Sequence, residues 1–132
     1  MIVKCSQRKL NSIVNDTVRN SVEKHVHLNE IDLVIGQNYR VYGVTFYDGI
    51  PWYLLCGDSN DDYPTPYCSV FFSMIDASIE EAWKLSLHSF NLGSAALLPD
   101  IWADDGEFLE KLVDGNTTAI ADFNKLKQRN NL

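Results

Sequence analysis

The sequence predicts an α+β fold: a small antiparallel β-barrel, SH3-like and partly open, or a curled sheet, with C-terminal helices packed on one side. Three observations carry that expectation. First, Tyr39 to Asp76 reads YRVYGVTFYDGIPWYLLCGDSNDDYPTPYCSVFFSMID and is dense in aromatic and β-branched residues. Second, Asp48-Gly49 inside that stretch is a favoured two-residue hairpin turn, because both residues tolerate positive φ better than most. Third, the pattern after Asp76 turns helical, with capping residues and a glycine stop. At 132 residues the chain is expected to form one domain, mainly β over 1–76 and mainly helical over 77–132.

Met1 to Cys5 is apolar and β-prone, which predicts an edge strand. Residues 6–24 carry Leu10, Ile13, Val14 and Val18 at partly helical spacing, but Asn11, Asn15, Asp16, Thr17 and Asn20 weaken a helix. A long loop with one helical turn is the expectation there. Alternation of Val22, Lys24, Val26 and Leu28 against Glu23, His25 and His27 predicts a strand ending at Asn29 and Glu30.

Tyr39–Tyr47 is the strongest strand signal, and Ile50–Cys56 is its expected hairpin partner. Pro51 lacks an N–H and belongs at a strand start or on an unpaired edge. Gly57–Asp62 reads as a polar loop. Tyr63-Pro64-Thr65-Pro66-Tyr67 holds the chain extended. Cys68–Ile75 then predicts a third strand, buried on both faces.

Ser78 and Glu81 have capping-box spacing, which predicts a short helix over Ile79–Lys84. Leu85, Leu87, Ser89 and Phe90 fit an extended segment, and Gly93 and Ser94 break the chain. A helical region opens at Pro99-Asp100. Asp105 is expected to cap a helix carrying Phe108, Leu109, Leu112 and Val113, and Gly115 to stop it. Asn116 is expected to cap a last helix that buries Ala119, Ile120, Phe123 and Leu126, with Lys125, Lys127 and Arg129 near its end.

The net charge of −7 argues against general nucleic-acid binding, which needs clustered Lys and Arg. It suits a basic partner, and it suits plain solubility equally. No apolar core follows the basic residues of MIVKCSQRKL, so no signal peptide is expected, and no apolar run is long enough to span a bilayer. Cys5, Cys56 and Cys68 lack CxxC spacing and read as reduced thiols of a cytoplasmic protein.

Catalytic and metal signatures are weak. Asp58-Ser59-Asn60-Asp61-Asp62 resembles the start of a calcium loop, yet Tyr63 stands where an EF-hand needs glycine and Ser69 where it needs glutamate. His25 and His27 lack a third ligand, and His88 is distant in sequence. Cys56 and Cys68 lie in apolar strands, and Ser73 and Ser89 sit in no GxSxG motif. No catalytic residue, metal site or cofactor is expected.

Two features point instead to a partner. Trp52, Tyr53, Tyr63 and Tyr67 cluster in sequence with Asp58, Asp61 and Asp62. Rings supply apolar area and carboxylates bind Arg and Lys, a combination that anchors a cationic protein. Trp52 is the ring most expected in the core. The second feature is the acidic run Asp100, Asp104, Asp105, Glu107 and Glu110, part of which helix capping explains. The expected contact residues are Asp58, Asp61, Asp62, Tyr63 and Tyr67, with Asp104, Asp105 and Glu107 as the competing surface.

YRVYGVTFYDGIPWYLLC, YPTPYCSVFFSMID and IWADDGEFLEKLVDGNTTAIADF together resemble a family of small bacterial proteins. That family shows a G-x-x-Y-x-V-Y-G segment, a W-Y strand, a Y-P-x-P-x-x-F-x-x-x-D segment and an L-V-D-G helix ending. It is similar in size and organisation to immunity proteins of polymorphic toxin and contact-dependent inhibition systems. The likeness covers most of the chain after Gly36 and the opening MIVKC. It departs at Cys68-Ser69 and across Asn91–Leu98. The resemblance implies a non-catalytic binder that occludes the active site of a cognate toxin domain, a nuclease with a basic cleft being one such toxin. No nucleic acid or membrane partner is expected. The alternative is a regulatory or structural module whose groove binds a peptide or small molecule. An enzyme would need a clustered site that the sequence does not display.

Overall fold

The computed structural model describes residues 1–87 and 95–129; the expectations for His88, Ser89, Phe90, Gly93 and Ser94 lie outside them. The strands are β1 (Ile2–Cys5), β2 (Asn38–Arg40), β3 (Gly43–Tyr47), β4 (Ile50–Leu55), β5 (Thr65–Cys68), β6 (Phe72–Asp76), β7 (Trp83–Ser86) and β8 (Ala96–Pro99). The helices are α1 (Asp16–His25), α2 (Asp100–Ala103), α3 (Phe108–Val113) and α4 (Thr117–Gln128). All strand pairs are antiparallel. A small sheet has the order β2-β1-β6 and a large one the order β5-β4-β3-β8-β7, and among the described residues neither closes into a barrel. The architecture is α+β, with two antiparallel sheets and helices.

Asp48 and Gly49 take left-handed backbone, φ 54° and 76°, the geometry that a tight hairpin between β3 and β4 demands. Upstream of it, the expected Tyr39–Tyr47 strand is two strands in different sheets. The Val41 N–H donates to Met1 O of the small sheet, and the Tyr42 N–H donates to Leu54 O of the large one. The chain therefore changes sheet at Val41-Tyr42. Gly43, at the start of β3, lets β8 pack closely, because a Cβ there would lie 2.8 Å from Leu98 Cδ2 and 3.1 Å from Leu97 O.

The expected third strand also divides. β5 ends at Cys68, a 3-10 turn at Ser69–Phe71 moves the chain across, and β6 joins β1. Phe71 is buried in the turn and its carbonyl accepts from the N–H groups of Ser6 and Gln7. β6 is an edge strand, so Ser73, Met74 and Ile75 are exposed rather than buried on both faces.

Two further corrections concern helices. Residues 16–25 form a true helix where a loop and then a strand from Val22 were expected. Asn15 caps it by accepting from the Val18 N–H, Asp16 sits in its first turn, and Lys24 and His25 in its last. Val18, Val22 and Val26 are four residues apart, so the alternation read as a strand is equally one helical stripe. Over 79–84 the reverse holds. Asp76 accepts from the Ser78 N–H, a turn follows in which Trp83 N–H donates to Glu80 O, and buried Trp83 opens β7. The exposed Ile79 leaves that segment without an apolar stripe to stabilise a helix. β7 and β8 thus place strands in the part expected to be mainly helical, as α1 places a helix in the β part.

The apolar side chains form two clusters. Val3, Cys5, Val22, Tyr39, Trp52 and Phe71 belong to the first, which joins the small sheet and α1 to the large sheet. Leu54, Ala96 and Leu98 of the large sheet pack with Trp102, Phe108, Leu112, Phe123 and Leu126 of the C-terminal helices in the second. The junction of α3 and α4 follows the sequence closely. Gly115, at φ 79°, ends α3 with its N–H on Leu112 O and the Asn116 N–H on Lys111 O. Asn116 then caps α4 by accepting from the Ala119 N–H at 3.0 Å. Asp105, by contrast, accepts from the Glu107 N–H ahead of α3, whose N-cap is Glu107 without a side-chain bond.

Candidate partner-binding surface

The expected contact loop connects β4 to β5, so two paired strands set where it leaves the sheet. Local chemistry shapes it. Asp61 Oδ2 accepts from the Asp58 N–H at 3.1 Å, Asp58 Oδ1 accepts from the Asn60 N–H at 2.9 Å, and the Asp61 N–H donates to Asp58 O at 3.0 Å. These are the side-chain-to-backbone bonds by which aspartates favour turns. Asp58, Asp61 and Asp62 are all exposed. Among the described residues no Lys, Arg or His comes within ion-pair range of their carboxylates.

The aromatic residues divide by position. Tyr63 leaves 42% of its surface in solvent, whereas Trp52 leaves 1%. Tyr67 is half-buried on β5, opposite Tyr53 and edge-on to Phe72, and burial raises its phenol pKa above the ordinary value, with Asp32 and Asp61 adding to the effect. Tyr67 therefore belongs more to the sheet than to the contact surface. Asn60, Asp61, Asp62, Tyr63 and Thr65 line a shallow concavity of about 350 Å³.

The competing surface is partly matched within the molecule. Asp104 pairs with Lys84 at 3.0 Å, Asp105 with Lys111 at 2.8 Å and Asp100 with Arg129 at 3.3 Å. The Lys111 hydrogen bond, then the Glu107 N–H, holds the Asp105 carboxyl below the usual range. Glu107 is exposed beside them. Charge already matched within the molecule attracts a partner less than unmatched charge does.

The end of α4 links the two surfaces, which sequence reading missed. Lys127 donates from Nζ to Ser59 O and to Asp61 O, and Arg129, two residues on, reaches Asp100. The loop and the start of α2 therefore flank one helix end. No local signal announces contacts between residues 66 and 68 apart in sequence; Lys127 and Arg129 read only as favourable cations at a helix terminus.

The remaining candidates have structural surroundings. His25 lies tilted against Tyr47 at 4.6 Å and meets Trp52 edge-on at 5.5 Å. No group of three or more His, Cys, Asp or Glu among the described residues is arranged to hold a metal. Cys5 and Cys68 are buried, and burial pushes the half-buried Cys56 thiol up to about 11 in spite of nearby Lys127, which disfavours the nucleophilic thiolate. No helix among the described residues is long and apolar enough to cross a membrane. Comparison with protein-family models, with curated proteins and with solved structures returns no match.

Proposed function

We propose that this chain is a non-catalytic binding protein, an immunity protein that neutralises a cognate toxin domain in the cytoplasm by covering its active site. The observation that carries the reading is the set of unpaired, exposed carboxylates at Asp58, Asp61 and Asp62 beside the exposed ring of Tyr63. Such a surface complements a basic one, and a nuclease domain with a cationic cleft is the toxin class it fits best. The net charge of −7 and the family resemblance of Tyr39–Cys56, Tyr63–Asp76 and Ile101–Phe123 support the same reading.

The test is co-purification with the product of a neighbouring toxin gene. A stoichiometric complex that abolishes toxin activity is the expected result. Neighbouring genes that encode no toxin, together with no basic protein recovered by pull-down, remove the reading.

A second observation favours the alternative of a peptide- or small-molecule-binding module. A groove of about 790 Å³ lies between the Leu10 turn and α1, lined by Lys9, Leu10, Arg19, Glu23, Val26 and His27. The groove is open and its lining is mostly polar and charged, which suits a polar peptide better than an apolar small molecule. A peptide that shifts the NMR resonances of Lys9 and His27 while leaving those of the acidic loop unmoved decides for this module.

A further inference from the structure

We propose that Lys127 is the positioning residue of the acidic loop, an internal cation that holds the loop backbone in the shape its partner meets. The inference rests on the reading of the loop as the contact surface, but the contact itself belongs to the free protein. Three carboxylates within five residues repel one another, and a short polar loop has little apolar burial to order it. Lys127 supplies what the loop lacks. Its ammonium donates to the carbonyls of Ser59, at 3.2 Å, and Asp61. It takes backbone acceptors rather than carboxylates, so the acidic groups keep their charge for a partner.

Lys127 is itself held at two points. Its ammonium lies 4.9 Å from the centre of the Phe123 ring, one turn earlier on α4. Its own carbonyl accepts from Arg40 Nη1 of β2 at 2.9 Å. Arg40 is fixed in turn by Glu80 Oε1 at 3.0 Å and by the Tyr42 ring at 5.0 Å. A helix end otherwise frays; here the small sheet anchors the end of α4, and α4 anchors the loop. A surface ordered beforehand loses less conformational entropy on binding.

The experiment measures backbone ¹⁵N order parameters of residues 58–62 in the partner-free protein. Lys127→Met removes the ammonium and keeps an unbranched side chain of similar length; the loop values are expected to fall from about 0.85 to below about 0.6. Lys127→Arg restores the cation and is expected to keep them high. Lys127→Gln gives the same readout as the Met variant should that one not fold. Unchanged loop values in the uncharged variants overturn the proposal, and so does an equal fall throughout β3 and β4, which marks general destabilisation. A recovered partner is expected to bind Lys127→Met about tenfold more weakly, since charge-assisted hydrogen bonds are of that order. A loosened loop with unaltered partner affinity overturns the loop as contact surface and leaves the Lys127 contact standing.

Discussion

Ser21 Oγ donates to Asp48 Oδ2 at 2.7 Å and so ties α1 to the β3–β4 turn across 27 residues of sequence. Ser21 is buried, and Lys24 Nζ lies 3.6 Å from the same carboxylate oxygen. One residue thus performs two tasks. The left-handed backbone of Asp48 makes the turn, and its carboxylate gives the helix a fixed docking point.

That carboxylate makes stability depend on pH. The Ser21 hydrogen bond and then the Lys24 charge hold the Asp48 pKa below its ordinary value. A lowered folded-state pKa stabilises above the unfolded carboxylate value, near about 4, and the contribution is lost as pH falls through the folded value. Asp48→Asn, which tolerates the turn geometry, is expected to be less stable than the parent by a constant margin at neutral pH. Urea unfolding at a series of pH values should show that margin shrinking below about pH 4. A margin that persists unchanged in strong acid contradicts the assignment.

Charge reversal at Asp61 and Asp62 separates binding from folding. Both residues are exposed and form no ion pair among the described residues, and the one bond lost is the exposed contact of Asp61 with the Asp58 N–H, so the doubly Lys-substituted chain should melt within about 4 °C of the parent. Association with a basic partner should slow and lose salt sensitivity, because steering by the acidic surface is gone. Stopped-flow binding at two ionic strengths measures both effects. Unchanged association kinetics in the double variant rule out the loop as the contact.

The same reversal at Asp104 and Glu107 gives a different signature. Asp104 is already engaged by Lys84, so its replacement by Lys costs a surface ion pair, worth about 0–1 kcal/mol. Asp104 is matched within the molecule and, among the described residues, Glu107 is not, so partner binding is expected to weaken by a smaller factor than in the loop variant, where both reversed charges lack an ion pair. Binding lost here and retained in the loop variant would transfer the interface to the segment between α2 and α3.

The α3–α4 junction offers a test independent of function. Asn116→Ala removes the cap on the Ala119 N–H and should lower stability by about 1 kcal/mol. Gly115→Ala forces a Cβ into left-handed backbone with open space around it, so the penalty is conformational, about 1 kcal/mol. Both are read from urea midpoints. An unchanged midpoint in either variant contradicts the capping geometry.

Features whose cause lies within a few residues of chain are legible from the amino acids alone. Asp48-Gly49 turns because those two residues accept positive φ. Gly115 stops α3 and Asn116 starts α4 through bonds spanning three to five residues. The acidic loop was legible as polar and exposed because no apolar residue interrupts Asp58–Asp62. Tertiary structure decided what local chemistry leaves open. Val41-Tyr42 and Ser69–Phe71 pass the chain from one sheet to the other through bonds to Met1, Leu54, Ser6 and Gln7, partners that no neighbouring residue specifies. The valines at 18, 22 and 26 satisfy a helical stripe as well as an alternating one, and burial of Val22 against the first core selects the helix. Among the described residues, Asp58, Asp61 and Asp62 form no ion pair while Asp100, Asp104 and Asp105 do, because folding brings Arg129, Lys84 and Lys111 to the second surface and turns Lys127 toward backbone carbonyls at the first. Propensity acts over one turn of chain, whereas the pairing of distant charges and strands is settled by which arrangement buries the most apolar surface.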